Sequence, residues 1–368
     1  MYTPTTKIST ILEAIQTLNL STTENLILLF AEKNVPDIPT LIEALNDLDI
    51  AFCGGIFPSV IVGNEQQKEG VILKKMPAAA APMLIKGLDS LDFSLPEFDN
   101  LPIFEEDIMM VVLLDGLTTN ISPFLRELYN LLGNAVNYIG GGAGSLTLVQ
   151  QPCVFNNQGL FQDAAILCPI LSKSELGVRH GWEQIYGPLV ANKTCGNVIQ
   201  ELNWKNAFET YKEIVEQETN QELTVDNFFD IAKGFPFGLN RDNNEKIVRD
   251  PIAVNEKGEL ICVGEVPENS VLDVLIGRKE SLINAAGEAA KACVMEERSF
   301  DDSLVIDCIS RVLFLENDFE KELEAIQKNI PNNKQLEGVL TLGEISSHGQ
   351  GALEFFNKTI VVGLLYDG

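Results

Sequence analysis

The sequence predicts a mixed α/β (α+β) protein with two domains of mixed β-sheets that are flanked by helices and built from repeated β-α-β-β units. One pattern occurs three times: a short apolar strand, an amphipathic helix, a second strand that ends in glycine, and a returning strand. Such self-similarity is typical of a fold assembled from one supersecondary unit. Because strand–helix–strand crossovers join parallel strands, we expect the first two strands of each unit to be parallel.

The first unit starts with an uninterrupted apolar run at residues 26–31, which predicts a buried strand. Apolar residues then recur at helical spacing from Leu41 to Leu48. The second strand, residues 50–53, runs into Gly54 and Gly55, and residues 71–74 form the returning strand.

The second unit repeats this order. Its first strand is residues 109–114, and Ser122-Pro123 marks the start of a helix. Residues 137–139 form a second strand that leads into three glycines, and residues 164–167 return. The third unit has strands at residues 304–309, 338–342 and 360–365, with a helix over 319–330 before the second strand.

Between the units the pattern changes. Residues 76–107 contain four prolines, which indicates a surface excursion with at most a short helix near 79–88. Residues 149–190 alternate short β-prone runs with turns, as antiparallel hairpins do. An amphipathic helix is predicted over 204–215, and further strands over 247–276. We place a domain boundary near residue 200.

Charge excludes several classes of partner. The 368 residues include 26 basic and 53 acidic side chains, so the formal net charge is −27. A surface this negative repels phosphate backbones and anionic lipid headgroups, and we expect neither nucleic acid nor membrane as a partner. No apolar run reaches the roughly 20 residues of a membrane helix, and the start lacks the order of a signal peptide. We therefore expect a cytoplasmic protein.

The cysteines also favour a cytoplasmic protein. Their number, seven, is odd, and neither a zinc spacing nor a disulfide framework is present. We expect reduced thiols, most of them buried, and no metal site.

Polar residues follow the strands of the third unit at the sheet edge where ligands usually bind. Cys308 and Arg311 come after its first strand, and Glu344 comes after its second. We predict that Arg311 receives an anionic group, and Glu344 a cationic or hydrogen-donating group, of an amino-acid-like ligand. Arg249, in a later β segment, could add a second positive contact, and Cys308 could form a wall of the site.

Three glycines belong to the same predicted site. Gly141, Gly142 and Gly343 would let backbone amides approach the ligand closely. The glycine run at 140–144 matches neither the GxGxxG dinucleotide pattern nor the phosphate-loop pattern, so we predict no nucleotide site.

Three alternatives stay open. Arg311 and Glu344 could be a structural pair, bonded to each other or to backbone. The sequence has two histidines, His180 and His348, and His180 could be an axial ligand of haem. Cys308 with a histidine could be the nucleophile of a cysteine-dependent enzyme. We favour binding without catalysis and without a cofactor.

Short motifs in a fixed order resemble the FIST family, a sensory module of signal transduction. In the first half they are GGAG at 141–144, DAA at 163–165, HGW at 180–182 and KTCGNVIQEL at 193–202. In the second half they are PFGL at 236–239, IVR at 247–249, GEVPE at 264–268, DC at 307–308 with Arg311, GEI at 343–345 and NKT at 357–359.

The resemblance implies a FIST N-terminal domain at residues 1–199 and a FIST C-terminal domain at 200–368. It also implies a ligand-sensing role for small molecules such as amino acids. The two FIST halves together account for the 368 residues, so the resemblance implies a stand-alone sensor with a separate signalling protein as its partner. A subset of similar proteins binds haem and senses nitric oxide, which keeps the His180 alternative.

Overall fold

A computed structural model of the chain describes residues 1–5, 7–103, 105–240, 245–295, 298–331, 334–347 and 353–366. His348 lies outside the described residues. In that part of the chain, no helix is both long enough and apolar enough to cross a membrane.

The elements of the first unit are β1 (Tyr2–Thr3), α1 (Ile8–Thr17), β2 (Glu24–Ala31), α2 (Ile38–Asn46), β3 (Ala51–Phe57), β4 (Ser59–Val62), β5 (Glu65–Gln67) and β6 (Val71–Pro77). Those of the second unit are β7 (Met83–Lys86), β8 (Ile108–Asp115), α3 (Ile121–Leu132), β9 (Asn137–Ala143), β10 (Val154–Asn156), β11 (Gly159–Phe161) and β12 (Ala164–Leu171).

The chain continues with β13 (Lys173–Arg179), β14 (Glu183–Ala191), β15 (Lys193–Cys195), β16 (Val198–Leu202), β17 (Lys205–Asn206), α4 (Ala207–Thr219), α5 (Phe228–Ala232), β18 (Phe237–Leu239), β19 (Ile247–Val254), β20 (Leu260–Val263) and β21 (Ser270–Ile276). The third unit follows with α6 (Lys279–Ala292), β22 (Asp302–Cys308), α7 (Ile309–Leu315), α8 (Phe319–Asn329), β23 (Glu337–Thr341), β24 (Glu344–Ser347), β25 (Leu353–Phe356) and β26 (Ile360–Tyr366).

The predicted mixed fold and its repeated units are confirmed. In each unit the first strand is parallel to the second: β2 to β3, β8 to β9, and β22 to β23. The returning strands β6, β12 and β26 are antiparallel to the first strand of their own unit. The intervening helix makes the parallel pairing possible, because a short turn cannot join parallel strands.

The three units exchange hairpins. Strands β4 and β5 leave the first unit as a hairpin, and β4 pairs with β23 of the third. The hairpin of β10 and β11 pairs with β3 of the first unit, and the hairpin of β24 and β25 pairs with β9 of the second. Each unit therefore contributes a hairpin to the six-stranded sheet of another unit: the first to the third, the second to the first, and the third to the second.

The sheets bury both faces. Alternate residues of the first strands, such as Ile27, Val111 and Ile306, belong to one shared apolar cluster. The residues between them, such as Leu28 and Val112, pack in separate clusters with the helices of their own unit. This alternation follows from the two-residue period of a strand, and it places the core between the sheets as well as beneath each helix layer.

Strands β14 to β21 form an eight-stranded sheet of antiparallel pairs that lies in the chain between β13 and α6. Strand β13 itself pairs with β26 of the third unit. The predicted boundary between residues 199 and 200 falls within β16, and the division into two domains stays a prediction.

One strand was not predicted. The sequence allowed at most a short helix near 79–88, and Met83–Lys86 forms β7 there instead. This strand pairs with β12, on the side of β12 that does not pair with β8. Long-range pairing overrides the weak helical preference of the alanine-rich segment.

Candidate functional site

Arg311 lies in the first turn of α7, immediately after β22, and its side chain is fully buried. Its Nε and Nη2 donate to the two carboxylate oxygens of Glu322, at 2.9 and 3.0 Å. Nη1 donates to the carbonyls of His180 and Lys358, at 2.6 and 3.1 Å, and Nη2 donates to the carbonyl of Leu282 at 3.1 Å. These five bonds match the five N–H groups of a guanidinium.

The partners of Arg311 come from different parts of the fold. Glu322 lies in the first turn of α8, and Leu282 belongs to α6. The His180 carbonyl lies at the start of the inserted sheet, and the Lys358 carbonyl lies just before β26. Arg311 thus joins the helices of the third unit to the segment that enters the eight-stranded sheet. Its carboxylate partner is Glu322, which sequence reasoning missed.

Asp307 adds a second carboxyl group to this cluster. Both of its oxygens are buried, neither accepts a hydrogen bond within the described residues, and Oδ1 is 3.4 Å from Arg311 Nε. Burial, and then the charge of Glu322, raise the pKa of Asp307 well above its usual range. A protonated Asp307 can donate to Glu322, and this removes the cost of an uncompensated buried charge.

Glu344, the first residue of β24, is fully buried and does not pair with Arg311. Its carboxyl group accepts from Thr341 Oγ1 at 2.9 Å and from the Thr359 amide at 3.2 Å. Burial raises the pKa of Glu344 to about 8. Its side chain is therefore mostly a neutral acid at neutral pH.

Cys308 ends β22 beside this group and is also buried. Burial, and then the nearby Glu344 carboxyl, raise the pKa of the Cys308 thiol well above its usual value. A nucleophilic cysteine requires the opposite shift, toward the thiolate at neutral pH. This environment gives the enzyme alternative no support.

The predicted glycines lie where two backbones meet. The Gly142 amide donates to the Gly343 carbonyl at 2.8 Å, and the Leu342 amide donates back to the Gly142 carbonyl at 2.9 Å. A Cβ at Gly141 would be 2.6 Å from the Thr341 methyl group, and Gly343 has a φ of +124°. The close packing of these chains explains why glycine is needed there. A role in ligand contact stays a prediction.

Arg249 lies in β19, a different element from those that carry Arg311 and Glu344. It is 96% buried in β19, where Nε donates to the Glu265 carbonyl at 2.8 Å. Nη1 donates to the carbonyls of Val248 and Phe355, at 3.0 and 3.1 Å. The structure thus brings Arg311, Cys308 and Glu344 together, whereas the Arg249 side chain bonds to backbone carbonyls of β19, β25 and the segment after β20.

Arg249 lines a cavity of about 260 Å³, which we call the Arg249 cavity. Helix α3 contributes Arg126 and Tyr129 to its lining, and the other lining residues include ones from β19, β25 and the segment after β20. Two further charged residues, Glu265 and Glu354, line the same space. Sequence reasoning did not find Arg126, although its position on the polar side of the predicted helix was a usable signal.

The charges around this cavity are mixed. Arg126 is exposed and has no ion-pair partner among the described residues, whereas the Arg249 side chain is anchored by backbone carbonyls. Leu125, Leu353 and Phe355 add apolar surface. A space with convergent cations, acids and apolar walls has the composition of a small-molecule site.

His180 is buried next to a separate open cleft of about 650 Å³. Its Nδ1 accepts the Trp182 amide at 2.8 Å, and its Nε2 is 3.5 Å from a Glu245 carboxylate oxygen. Burial lowers the pKa of His180 to about 4, so the ring is neutral at physiological pH. Both ring nitrogens have protein partners, and haem ligation stays a prediction.

Lys358 is a buried residue whose role sequence reasoning missed, although it belongs to the NKT motif. Its Nζ pairs with Asp250 at 3.0 Å, donates to the Lys233 carbonyl at 2.9 Å, and lies 4.9 Å from the centre of the Trp182 ring.

Within the described ranges, no group of three or more His, Cys, Asp or Glu side chains could hold a metal ion.

Comparison with known families gives two matches that together cover most of the chain. The family model described as the FIST N domain matches residues 25–205, and the one described as the FIST C domain matches residues 207–347. No curated protein matches this chain. The two matched regions meet at α4, and each contributes residues to the Arg249 cavity.

Proposed function

This chain belongs to the FIST family, whose domains are associated with sensory roles in signal transduction, and we propose that it senses a small zwitterion of the amino-acid class in the Arg249 cavity. One observation carries the proposal: two arginines and two glutamates line a single small cavity, with Arg126 in the FIST N match and both Arg249 and Glu265 in the FIST C match.

The chemistry of these side chains suits such a ligand. A guanidinium binds a carboxylate through two parallel hydrogen bonds, and a carboxylate provides the counter-charge for an ammonium group. Arg126 has donors for a ligand carboxylate, and Glu265 or Glu354 lies on the same cavity surface for the ammonium. The volume of about 260 Å³ favours a metabolite over a larger cofactor.

The position of the cavity suits a sensor. Helix α3 belongs to the FIST N region, whereas β19 belongs to the FIST C region. A ligand that contacts both would stabilise one arrangement of the two regions, and a separate signalling protein could recognise that arrangement. We propose ligand binding without catalysis or a cofactor, and an absorption spectrum of the purified protein tests the haem alternative. A Soret band would favour the haem alternative.

The proposal is tested by thermal shift and calorimetry with the common amino acids. A ligand at 100 times its dissociation constant stabilises the folded state by about 2.7 kcal/mol. A hydrogen bond to a charged group is worth roughly 1.5–3 kcal/mol, so Arg126→Gln should weaken binding about ten- to a hundredfold. Arg278→Gln, a surface variant outside the cavity, is the matched control and should bind normally.

The readout separates binding from folding, because Arg126 is exposed and its replacement should leave the melting temperature of the free protein unchanged. Glu354→Gln tests the ammonium side of the site in the same way. If both variants are folded and bind every responding amino acid with unchanged affinity, the Arg249 cavity is not the site.

A further inference from the structure

The carboxyl ends of the parallel strands differ among the three units. In the third unit this end is filled by Arg311 and Glu322. In the second unit it is closed by Asp115, which accepts the amides of Leu117 and Asp163 at 3.0 and 2.9 Å and the Gln150 side chain at 2.7 Å. Both ends are thus occupied by the protein's own polar groups.

The first unit has a cleft at the corresponding place. A space of about 690 Å³ opens beyond the ends of β2 and β3, next to the start of α2. Ligands of α/β sheets usually bind outside the carboxyl ends of parallel strands. We call this space the first-unit cleft. It does not overlap with the Arg249 cavity.

The first-unit cleft combines apolar walls with lysine. Val35, Ile56 and Leu160 line it, together with several prolines. Two lysines also line it: Lys33 pairs with Glu69, whereas Lys68 is exposed and has no ion-pair partner among the described residues. The apolar walls favour an aliphatic group, and the Lys68 ammonium favours an anion.

The acidic residues of the cleft are already engaged. The Glu32 carboxylate accepts the Leu146 amide, with a shortest distance of 3.2 Å. Asp37 caps α2 by accepting the Thr40 amide at 3.1 Å. Of the two lining lysines, Lys68 is the one without an ion pair in the described part of the chain, so its ammonium can pair with an anion.

The loop of residues 144–153, which joins β9 to β10 in the second unit, borders the cleft. In the other two units the corresponding strands are joined by only one or two residues. The Gly144 amide anchors the loop to the Ile56 carbonyl at 2.8 Å. Ser145 and Thr147 line the cleft, while the neighbouring Leu148 and Val149 are 56% and 66% exposed. An apolar occupant would give these two side chains a surface to cover.

We propose that the first-unit cleft binds a small monocarboxylate with an aliphatic chain. The carboxylate lies against Lys68, the chain packs on Val35, Ile56 and Leu160, and the loop at 144–153 closes over it. This site is additional to the amino-acid site, and neither depends on the other.

The experiment is a calorimetric titration of the full chain with straight-chain carboxylates from butanoate to dodecanoate and with the matching alcohols. Each buried methylene is worth about 0.8 kcal/mol, so affinity should rise roughly three- to fourfold per carbon until the cleft is full. Each carboxylate should bind about fivefold more tightly than its alcohol, as expected for an exposed charge pair.

Variants locate the site. Lys68→Gln should reduce carboxylate affinity to that of the alcohol and leave alcohol affinity unchanged, whereas Lys257→Gln, on the distant turn between β19 and β20, should change neither. Val35→Trp should weaken binding at least tenfold, because the indole would occupy the apolar wall on which the aliphatic chain packs. Leu160→Trp, at another apolar residue that lines the cleft, is a second blocking variant in case the first is poorly folded.

Three results would overturn the proposal: no binding by any chain length, equal affinity of acids and alcohols, or full affinity in both folded tryptophan variants. Arg126→Gln separates the two sites, because it should weaken amino-acid binding and leave octanoate binding intact. Failure of one site thus leaves the test of the other unaffected.

Discussion

Arg311 and Arg249, which the sequence suggests as two contacts for one ligand, lie in different surroundings. Arg311 is completely buried, and its five N–H groups match five bonds to protein oxygen atoms. Arg249 is anchored by backbone carbonyls but also lines a cavity, where the exposed Arg126 faces the same space. Both arginines follow or occupy strands, so their sequence context is alike.

The difference shows what distinguishes a structural arginine from a binding one. Arg311 bonds to groups from four separate segments of the third unit and the inserted sheet, so its hydrogen-bonding capacity is used to hold the fold. A cavity with nearby cations and acids, in contrast, leaves space for a ligand. Predictions about the two regions should therefore separate stability from affinity.

Arg311→Ala should have the largest effect on stability. It leaves Glu322 buried without its cation, and breaking a buried pair in this way costs about 3–5 kcal/mol. Urea unfolding should show a lower midpoint, whereas Arg126→Ala, at an exposed position, should change the free energy of unfolding by less than about 0.5 kcal/mol. A folded Arg311→Ala protein of normal stability that loses only ligand affinity would restore the site predicted from sequence.

Glu322→Gln and Asp307→Asn should differ although both remove a carboxyl group from the same cluster. Glu322 accepts two hydrogen bonds from the Arg311 guanidinium, so its amide variant should cost several kcal/mol. Asp307 has no donor partner among the described residues and a raised pKa, so its protonated form resembles asparagine. Asp307→Asn should change the free energy of unfolding by less than about 1 kcal/mol. Equal losses in the two variants would mean that Asp307 is ionised.

The architecture was largely predictable, because each parallel pair is encoded by local apolar runs and one amphipathic helix. Residues 26–31 and 109–114 predict buried strands by themselves. The exchange of hairpins was not predictable, since β4 meets β23 across most of the length of the chain and no local pattern specifies that pairing. The missed strand β7 has the same cause, because its pairing with β12 decides its conformation.

The candidate site was predictable only in part. Sequence order placed Cys308, Arg311 and Glu344 just after the parallel strands β22 and β23, and the structure has them close together there, although Glu344 is part of β24 in another sheet. It did not indicate that Glu322 from α8 and the Leu282 carbonyl from α6 would satisfy Arg311, because the approach of these helices is set by tertiary packing. The same limit applies to the Arg249 cavity, whose walls come from distant segments.

Glu344 provides a prediction about pH. Its pKa is about 8 in the folded protein and 4.5 for the free side chain, so the folded state holds a proton that the unfolded state releases. Its contribution to stability is therefore complete below pH 4.5 and is lost as the pH rises to about 8. The slope is at most about 1.4 kcal/mol per pH unit.

Unfolding of Glu344→Gln and the unchanged protein from pH 5 to 8 tests this assignment, since the difference between them cancels the other titrating groups. The variant should gain in relative stability as the pH rises. A constant difference across this range would show that Glu344 has an ordinary pKa.

The smallest effect is expected for Cys308, which should not react in the native protein. Among the seven cysteines, Cys195 is exposed, while Cys308 is buried and its pKa is raised. At neutral pH iodoacetamide should label Cys195 rapidly, and Cys308 only as fast as the protein opens, because the reactive species is an accessible thiolate. Peptide mass spectrometry at successive times measures both rates in one sample. Cys195→Ser should leave no rapidly labelled thiol, since the other six are buried. Rapid labelling of Cys308 in that variant would instead place it in an open, activating environment and would favour the cysteine-dependent enzyme over the sensor.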